Sequence, residues 1–347
     1  MVFIRLLVFI TGALLTALTL APAIKTFVLP RSVNDPLTRL VFRSIRRLFD
    51  LRLQRVGQYH ERDRILALYA PFSLVALLPF WLSLVTLGYT AMFWAIGAGN
   101  WAQSFQLSGS SLLTLGFAAV DTIPQGILVY TEAALGLMLT ALLIAYLPSM
   151  YSAFSKRESA VSLLEVRAGS PPSAVEMLKR YYRVHGLERL GEQWQLWENW
   201  FAEVEESHTS LAALVFFRSP RAERSWVTAA GAVLDAAALT RSAVDIPADP
   251  RADLCIRAGF LALRSIASVF RVSFNPDPHY PAQSINVSRV EFEAALQELA
   301  GQGLPLKADR EQAWRDFAGW RVNYDSVLLA LAAITAAPPS PWTGGGR

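Results

Sequence analysis

The chain of 347 residues has one cysteine, Cys255, which excludes a disulfide framework and any zinc site built on thiolates. Charge is scarce as well: 17% of residues are Asp, Glu, Lys or Arg, against about 25% in soluble domains. Glycine and proline stand at 20 and 19, too few for a collagen-like or low-complexity chain. No glycine-rich phosphate loop follows a strand-like stretch, and no alternating strand pattern of any length occurs. The four histidines (His60, His185, His208, His279) lack metal-ligand spacing among themselves or with acids. The expectation is therefore a non-enzyme without a metal or cofactor.

What is present is apolar, at 53% of residues, and the few charges are unevenly placed. From Ile65 to Val120 there is no Lys, Arg, Asp or Glu, and two further charge-free runs cover Leu6 to Ile24 and Ala133 to Ser155. A bilayer core takes about 20 apolar residues in a helix, so each run is long enough to span it. From Lys156 onward, acids and bases are dispersed through helical-looking sequence. The composition implies a membrane protein with a soluble C-terminal half.

Spans are expected at about 3–29, 66–97 and 126–151. Residues 31–64 carry nine arginines (Arg31, Arg39, Arg43, Arg46, Arg47, Arg52, Arg55, Arg62, Arg64) against Asp35, Asp50, Glu61 and Asp63. The positive-inside bias places this loop in the cytoplasm. The N-terminus is then outside, and Lys156-Arg157 agree with a cytoplasmic C-terminal half. A cleaved signal peptide is the competing reading of the first run, with Arg5 as its basic start and Ala21-Pro22-Ala23 resembling a cleavage site. The apolar stretch exceeds a typical signal core, and the basic segment behind it belongs inside, so a retained span is preferred. The localisation expected is the cell (inner) membrane, multi-pass.

Asp35 before Pro36 reads as a helix start, a capping carboxylate followed by proline in the first turn. Leu37, Leu40, Val41, Ile45, Leu48 and Phe49 recur at helical spacing with arginines on the other face. Such a helix is expected to lie on the anionic inner leaflet, apolar face down. Its tether between two spans argues against nucleic acid as a partner.

Between the second and third spans, Trp101 to Phe117 is uncharged and rich in small hydroxyl residues. It is too polar for a lipid-facing helix and too apolar for an ordinary exterior loop. Irregular backbone at membrane depth must be buried in protein or line a cavity, and a short re-entrant helix followed by a turn meets both demands. Asp121 to Gly126 reads as the turn into the third span.

An outer helix, a re-entrant helix, Thr114-Leu115-Gly116-Phe117 and an inner helix with Glu132 and Gly136 together resemble the pore module of bacterial potassium channels over about 65–155. That family's filter reads Thr-Val-Gly-Tyr-Gly, and its carbonyls replace the ion's hydration shell. The resemblance implies a selectivity filter at Thr114, Leu115, Gly116, Phe117 and Ala118, with Gly136 at a hinge. Glu132 and Thr140 share the face of Gly136 at i±4 spacing, which makes all three candidates for pore lining or hinge. It also implies potassium or another monovalent cation as permeant ion and a homotetramer around the axis. Ala118 departs from the family at its second glycine, where a left-handed backbone costs alanine on the order of 1 kcal/mol, and Phe117 lacks the tyrosine hydroxyl. Small-residue helix packing is the bland reading of the same glycines. The stretch from His208 through Phe216-Phe217-Arg218-Ser219-Pro220 to Trp226 resembles uncharacterised bacterial channel-like proteins, without an implied mechanism.

The second half reads as an all-α bundle. Helices are expected from Ser173, over 188–207, 222–244, 251–272 and 289–302, and from an Asp309 cap through Trp314, Phe317, Trp320, Tyr324 and Leu328. Trp194, Trp197 and Trp200 are expected in core packing rather than a ligand cage, Cys255 in the core, and Glu203, Glu205, Glu206 and His208 at a solvated helix end. The domain plan is a first span at 1–30, a basic amphipathic linker at 31–64, a pore module at 65–155, a cytoplasmic helical domain at 156–337 and a disordered tail at 338–347. Two functions follow: a cation channel gated or assembled through its helical domain, with room for a cytoplasmic regulator, or a non-conducting membrane scaffold or signalling protein that keeps the pore fold.

Overall fold

The computed structural model describes residues 1–28, 36–184 and 186–343. Asp35, Arg31, His185 and the tail from Gly344, all singled out in the sequence, lie outside them. The described chain is helical throughout; no strand occurs among these residues, and only Val244 and Leu306 pair as an isolated antiparallel bridge. It divides into two compact units, residues 1–57 with 68–152, and residues 58–67 with 153–347.

The first unit holds α1 (Val2–Val28), α2 (Pro36–Leu53), α4 (Tyr69–Ala95), α5 (Trp101–Leu112) and the start of α6 (Ile123–Ala168); α3 (Tyr59–Ala67) belongs to the second unit. Three helical segments, ending at Ile24, Ala95 and Ala168, are long and apolar enough to cross a membrane. Between α1 and α4 the contact is made by small residues. Gly12, Thr16, Thr19 and Ala23 are buried along one side of α1. A methyl group added at Gly12 would come within 2.4 Å of the Gly88 carbonyl oxygen, and one at Gly88 within 2.4 Å of the Thr16 hydroxyl. Small residues let spanning helices approach closely where apolar burial alone gives little in lipid. α6 exceeds its expected span at both ends and runs on through Pro148, so its 46 residues rise about 69 Å at 1.5 Å each.

In the second unit, α7 (Ala174–Val184), α8 (Leu190–Ser210), α9 (Trp226–Ser242), α10 (Pro250–Val269), α11 (Arg289–Gly301), α12 (Arg310–Arg321) and α13 (Asp325–Thr335) share one core. Capping sets several starts: Asp249 accepts from the Arg251 N–H, Asp309 from that of Gln312, and Ser288 and Glu291 form a reciprocal capping box. α9 lies at the centre, with every residue but Arg241 buried. Trp194, Trp197, Trp200 and Phe201 fill the core from α8, and Cys255 is buried in α10, where burial pushes its thiol pKa up.

Two expectations are corrected here. The helix capped by Asp309 is two helices, because the chain turns at Asn323 and Tyr324. The turn lets the Tyr324 hydroxyl donate to the buried Asp235 carboxylate at 2.9 Å, while Arg321 bridges Asp235 and Asp325. An apolar stripe that continues across the turn hides this break from periodicity. The segment 338–343, expected to be disordered, packs instead: Trp342 meets Phe317 with ring centroids 5.5 Å apart, and its carbonyl accepts from Arg321 at 2.6 Å.

The Phe216 to Trp226 segment is held by three arginines. Arg157 donates to the carbonyls of Leu214 at 3.0 Å and Phe217 at 2.7 Å. Arg218 pairs with Asp63 and donates to the Tyr59 hydroxyl at 2.7 Å and to the carbonyls of Thr335 and Ala336 at 2.7 and 3.0 Å. Arg224 pairs with Glu165. These bonds tie α3, α6 and α13 to one loop, a structural role for a motif that carried none in the sequence.

Candidate functional site

The site begins at the cap of α5. Asn100 accepts the Gln103 N–H at 3.0 Å, and the Gln103 side chain accepts the Asn100 N–H at 2.9 Å, so the helix starts sharply after Gly99. Its Ser104, Ser108 and Ser111 recur at helical spacing and are buried. Ser108 and Ser111 each donate to one oxygen of the Glu132 carboxylate on α6, and Ser108 also reaches the Thr86 carbonyl on α4 at 3.2 Å. One turn along, the Tyr89 hydroxyl donates to Thr131 at 3.1 Å. A carboxylate in a spanning segment is costly without donors, and α5 supplies them.

The same face of α6 carries the other inner-helix candidates. A methyl group at Gly136 would fall 2.1 Å from the Leu112 carbonyl oxygen, so glycine is what admits the end of α5. Thr140 donates to the Gly136 carbonyl at 2.9 Å. Glu132 and Gly136 are thus enclosed within one chain, between α5 and α6, and not on an open face. The uncovered face of α6 is a different one: Tyr130, Leu137, Ile144 and Tyr151 recur every seven residues at 64–76% exposure, with exposed Ala134 and Ala141 between them. That seam, spaced as a coiled-coil seam is, was missed in the sequence; its signal is the strict seven-residue repeat of large residues.

α5 ends in a left-handed cap. The Thr114 N–H donates to the Ser111 carbonyl at 3.0 Å and the Leu115 N–H to that of Ser110 at 2.8 Å, with Thr114 at φ 54°. The Gly116 N–H also turns to the Ser110 carbonyl, at 3.3 Å, and the N–H groups of Phe117 and Ala118 donate to the Ser110 hydroxyl at 3.0 and 3.1 Å. Four consecutive N–H groups therefore point back to one serine. Across trans peptides the preceding carbonyls, those of Thr114, Leu115, Gly116 and Phe117, point the other way. Left-handed backbone alternates at Thr114 and Gly116 and stops there. Ala118 does not adopt it, so the strain expected at that alanine is absent, and it falls on the β-branched Thr114 instead. The side chains of Leu115 and Phe117 are exposed in the single chain.

Elsewhere, the second unit brings no acid to His208. His208 is buried against Trp226, with ring centroids 4.9 Å apart, and Arg157 lies 3.1 Å from its Nε2. Glu203 and Glu206 are exposed, and no group of three or more metal-binding side chains forms among the described residues. A cleft beside the start of α8 holds Arg241, Arg251 and Lys307, but Asp253, Asp249 and the Arg241 carbonyl already engage them. No known protein family, curated protein or solved structure matches the chain.

Proposed function

We propose that the chain is the subunit of a homotetrameric, potassium-like cation channel in the cell membrane. In this reading residues 114–118 are its filter, the N-terminus lies outside and the second unit is cytoplasmic. The observation that carries the reading is the Ser110-anchored loop, which gathers four successive N–H groups onto one serine, and so leaves the carbonyls before them facing away from it, between two helices able to span a membrane. Carbonyls ranked in this way replace water around a dehydrated cation. The uncovered seven-residue seam of α6 supports assembly, since one filter segment per chain requires partners around an axis. Glu132 acts behind the filter by holding α5 through Ser108 and Ser111. α6 carries any movement of the helical domain toward the pore, where a cytoplasmic regulator would act.

The second reading is a non-conducting scaffold that keeps the pore fold. It is favoured by one observation, the end of left-handed alternation before Ala118. Purified full-length protein in liposomes separates the two. Potassium flux from cross-linkable tetramers is expected, and Ala118→Gly is expected to raise potassium preference over sodium. Intact tetramers without flux establish the scaffold; monomers or dimers alone refute the four-fold pore.

A further inference from the structure

α2 meets two environments. Val41 and Ile45 are buried, and the rings of Phe42 and Phe49 approach Tyr69 at the start of α4 with centroids 6.2 and 5.8 Å apart. The Tyr69 hydroxyl donates to the Phe42 carbonyl at 3.4 Å, and Arg46, paired with Asp50, lies over the Tyr69 ring. These contacts fix α2 at the N-terminal end of a helix able to span a bilayer.

The apolar residues that the sequence assigns to one face are in fact divided. At about 100° per residue, Leu48, Leu51 and Leu40 lie on the strip beside Val41, with Ser44 among them. They are 63, 60 and 54% exposed. Arg47 and Arg43 occupy the next strip, exposed, and no carboxylate among the described residues pairs with either. Around the helix the order is protein, leucine, arginine. Water gives three uncovered leucines no stabilisation, whereas apolar surroundings stabilise each in proportion to the area removed from water. A helix fixed at the end of a span, with leucines beside that span and unpaired arginines beyond them, matches the acyl boundary and the phosphates of one leaflet.

We infer that this side of α2 binds acidic phospholipid, with Leu40, Leu48 and Leu51 in the acyl boundary and Arg43 and Arg47 at the headgroup phosphates. The inference is independent of ion conduction, since it needs only that α4 spans the membrane. It is tested with full-length protein in nanodiscs of mixed phosphatidylcholine and phosphatidylglycerol. Nitroxide labels on Leu40→Cys, Leu48→Cys and Leu51→Cys should meet oxygen more often than a water-soluble nickel complex. Native mass spectrometry should find phosphatidylglycerol retained in excess, with the excess falling about fivefold for each arginine removed in Arg43→Gln and Arg47→Gln. Labels open to nickel overturn the proposal, as does a lipid ratio that both variants leave unchanged. Labels shielded from both reagents, with disulfide-linked Leu48→Cys dimers, overturn it in favour of a second copy of the chain.

Discussion

The hydroxyl of Ser110 accepts the backbone N–H of Ala118, eight residues further along the chain, at 3.1 Å. The same oxygen takes the N–H of Phe117, so one side chain on the last turn of α5 sets the path of the loop beyond it. Ser110→Ala removes both bonds, each worth about 1 kcal/mol. Amide exchange at Phe117 and Ala118 should accelerate roughly tenfold or more while that of α5 itself stays unchanged. Equal exchange in both proteins would show that the loop does not depend on Ser110.

Thr114 is the strained member of the loop. A β-branched residue at φ 54° is disfavoured where glycine is not, and Thr114→Gly should stabilise the protein by about 1 kcal/mol. At Gly116, φ is 73° and the space around the position is open, so Gly116→Ala should cost about as much through the backbone alone. Thermal melts of the two variants should move in opposite directions from the parent.

Glu132 distinguishes hydrogen bonding from volume. Glu132→Gln keeps an acceptor for Ser108 or Ser111 and should melt close to the parent protein. Glu132→Leu leaves the buried Ser111 hydroxyl only the Ser108 carbonyl and should cost roughly 1–3 kcal/mol. A leucine variant as stable as the glutamine one would make the carboxylate dispensable to the fold.

Helix positions were largely legible because the charge-free runs and the 3.6-residue period depend on short stretches of chain. The short helix α5 was legible as a helix from its hydroxyl-rich, uncharged composition. Which face of α6 meets α5 was not: Glu132, Gly136 and Thr140 share a face at i±4, but periodicity does not say what that face touches. The answer was present in a second segment, in the matching spacing of Ser104, Ser108 and Ser111. The role of Ser110 was not legible at all, because it depends on four N–H groups of a loop with no periodic signal. The split of α12 from α13 was hidden for a related reason, since a buried acid, Asp235, dictates it from far away in sequence.

That acid lies in the most enclosed ionic cluster. Asp235 and Arg321 are 1% and 0% exposed, and Tyr324 and Asp325 complete the set. Burial opposes the charge on Arg321, yet the carboxylates beside it push its pKa up. Arg321→Met strands Asp235 without its cation and should cost about 3–5 kcal/mol. The double variant Arg321→Met with Asp235→Leu should recover part of that loss. If the double variant lost the sum of both single losses, the two residues would be acting separately.

His208 makes the second unit acid-sensitive. Burial, and then the Arg157 guanidinium, hold its pKa well below the ordinary value. A guanidinium has only donors, so Nε2 must stay unprotonated to accept from it. The unfolded chain binds the proton more readily, so this contribution is whole above about pH 6.5 and lost as pH falls below it. By pH 5 the loss should reach about 2 kcal/mol. Melts from pH 7.5 to 5 should show a steeper decline for the parent than for His208→Gln; parallel curves would remove His208 from the account.

α9 is walled in along all but one of its residues, and the partners that wall it arrive both before and after it in the chain. A ribosome therefore releases α8 and α9 long before α12 and α13 can cover them, and the alanine-rich helix must wait, only partly covered, for about 70–95 further residues. The second unit is thus indivisible: a cut anywhere between α9 and Trp342 should yield an insoluble fragment and not a smaller domain.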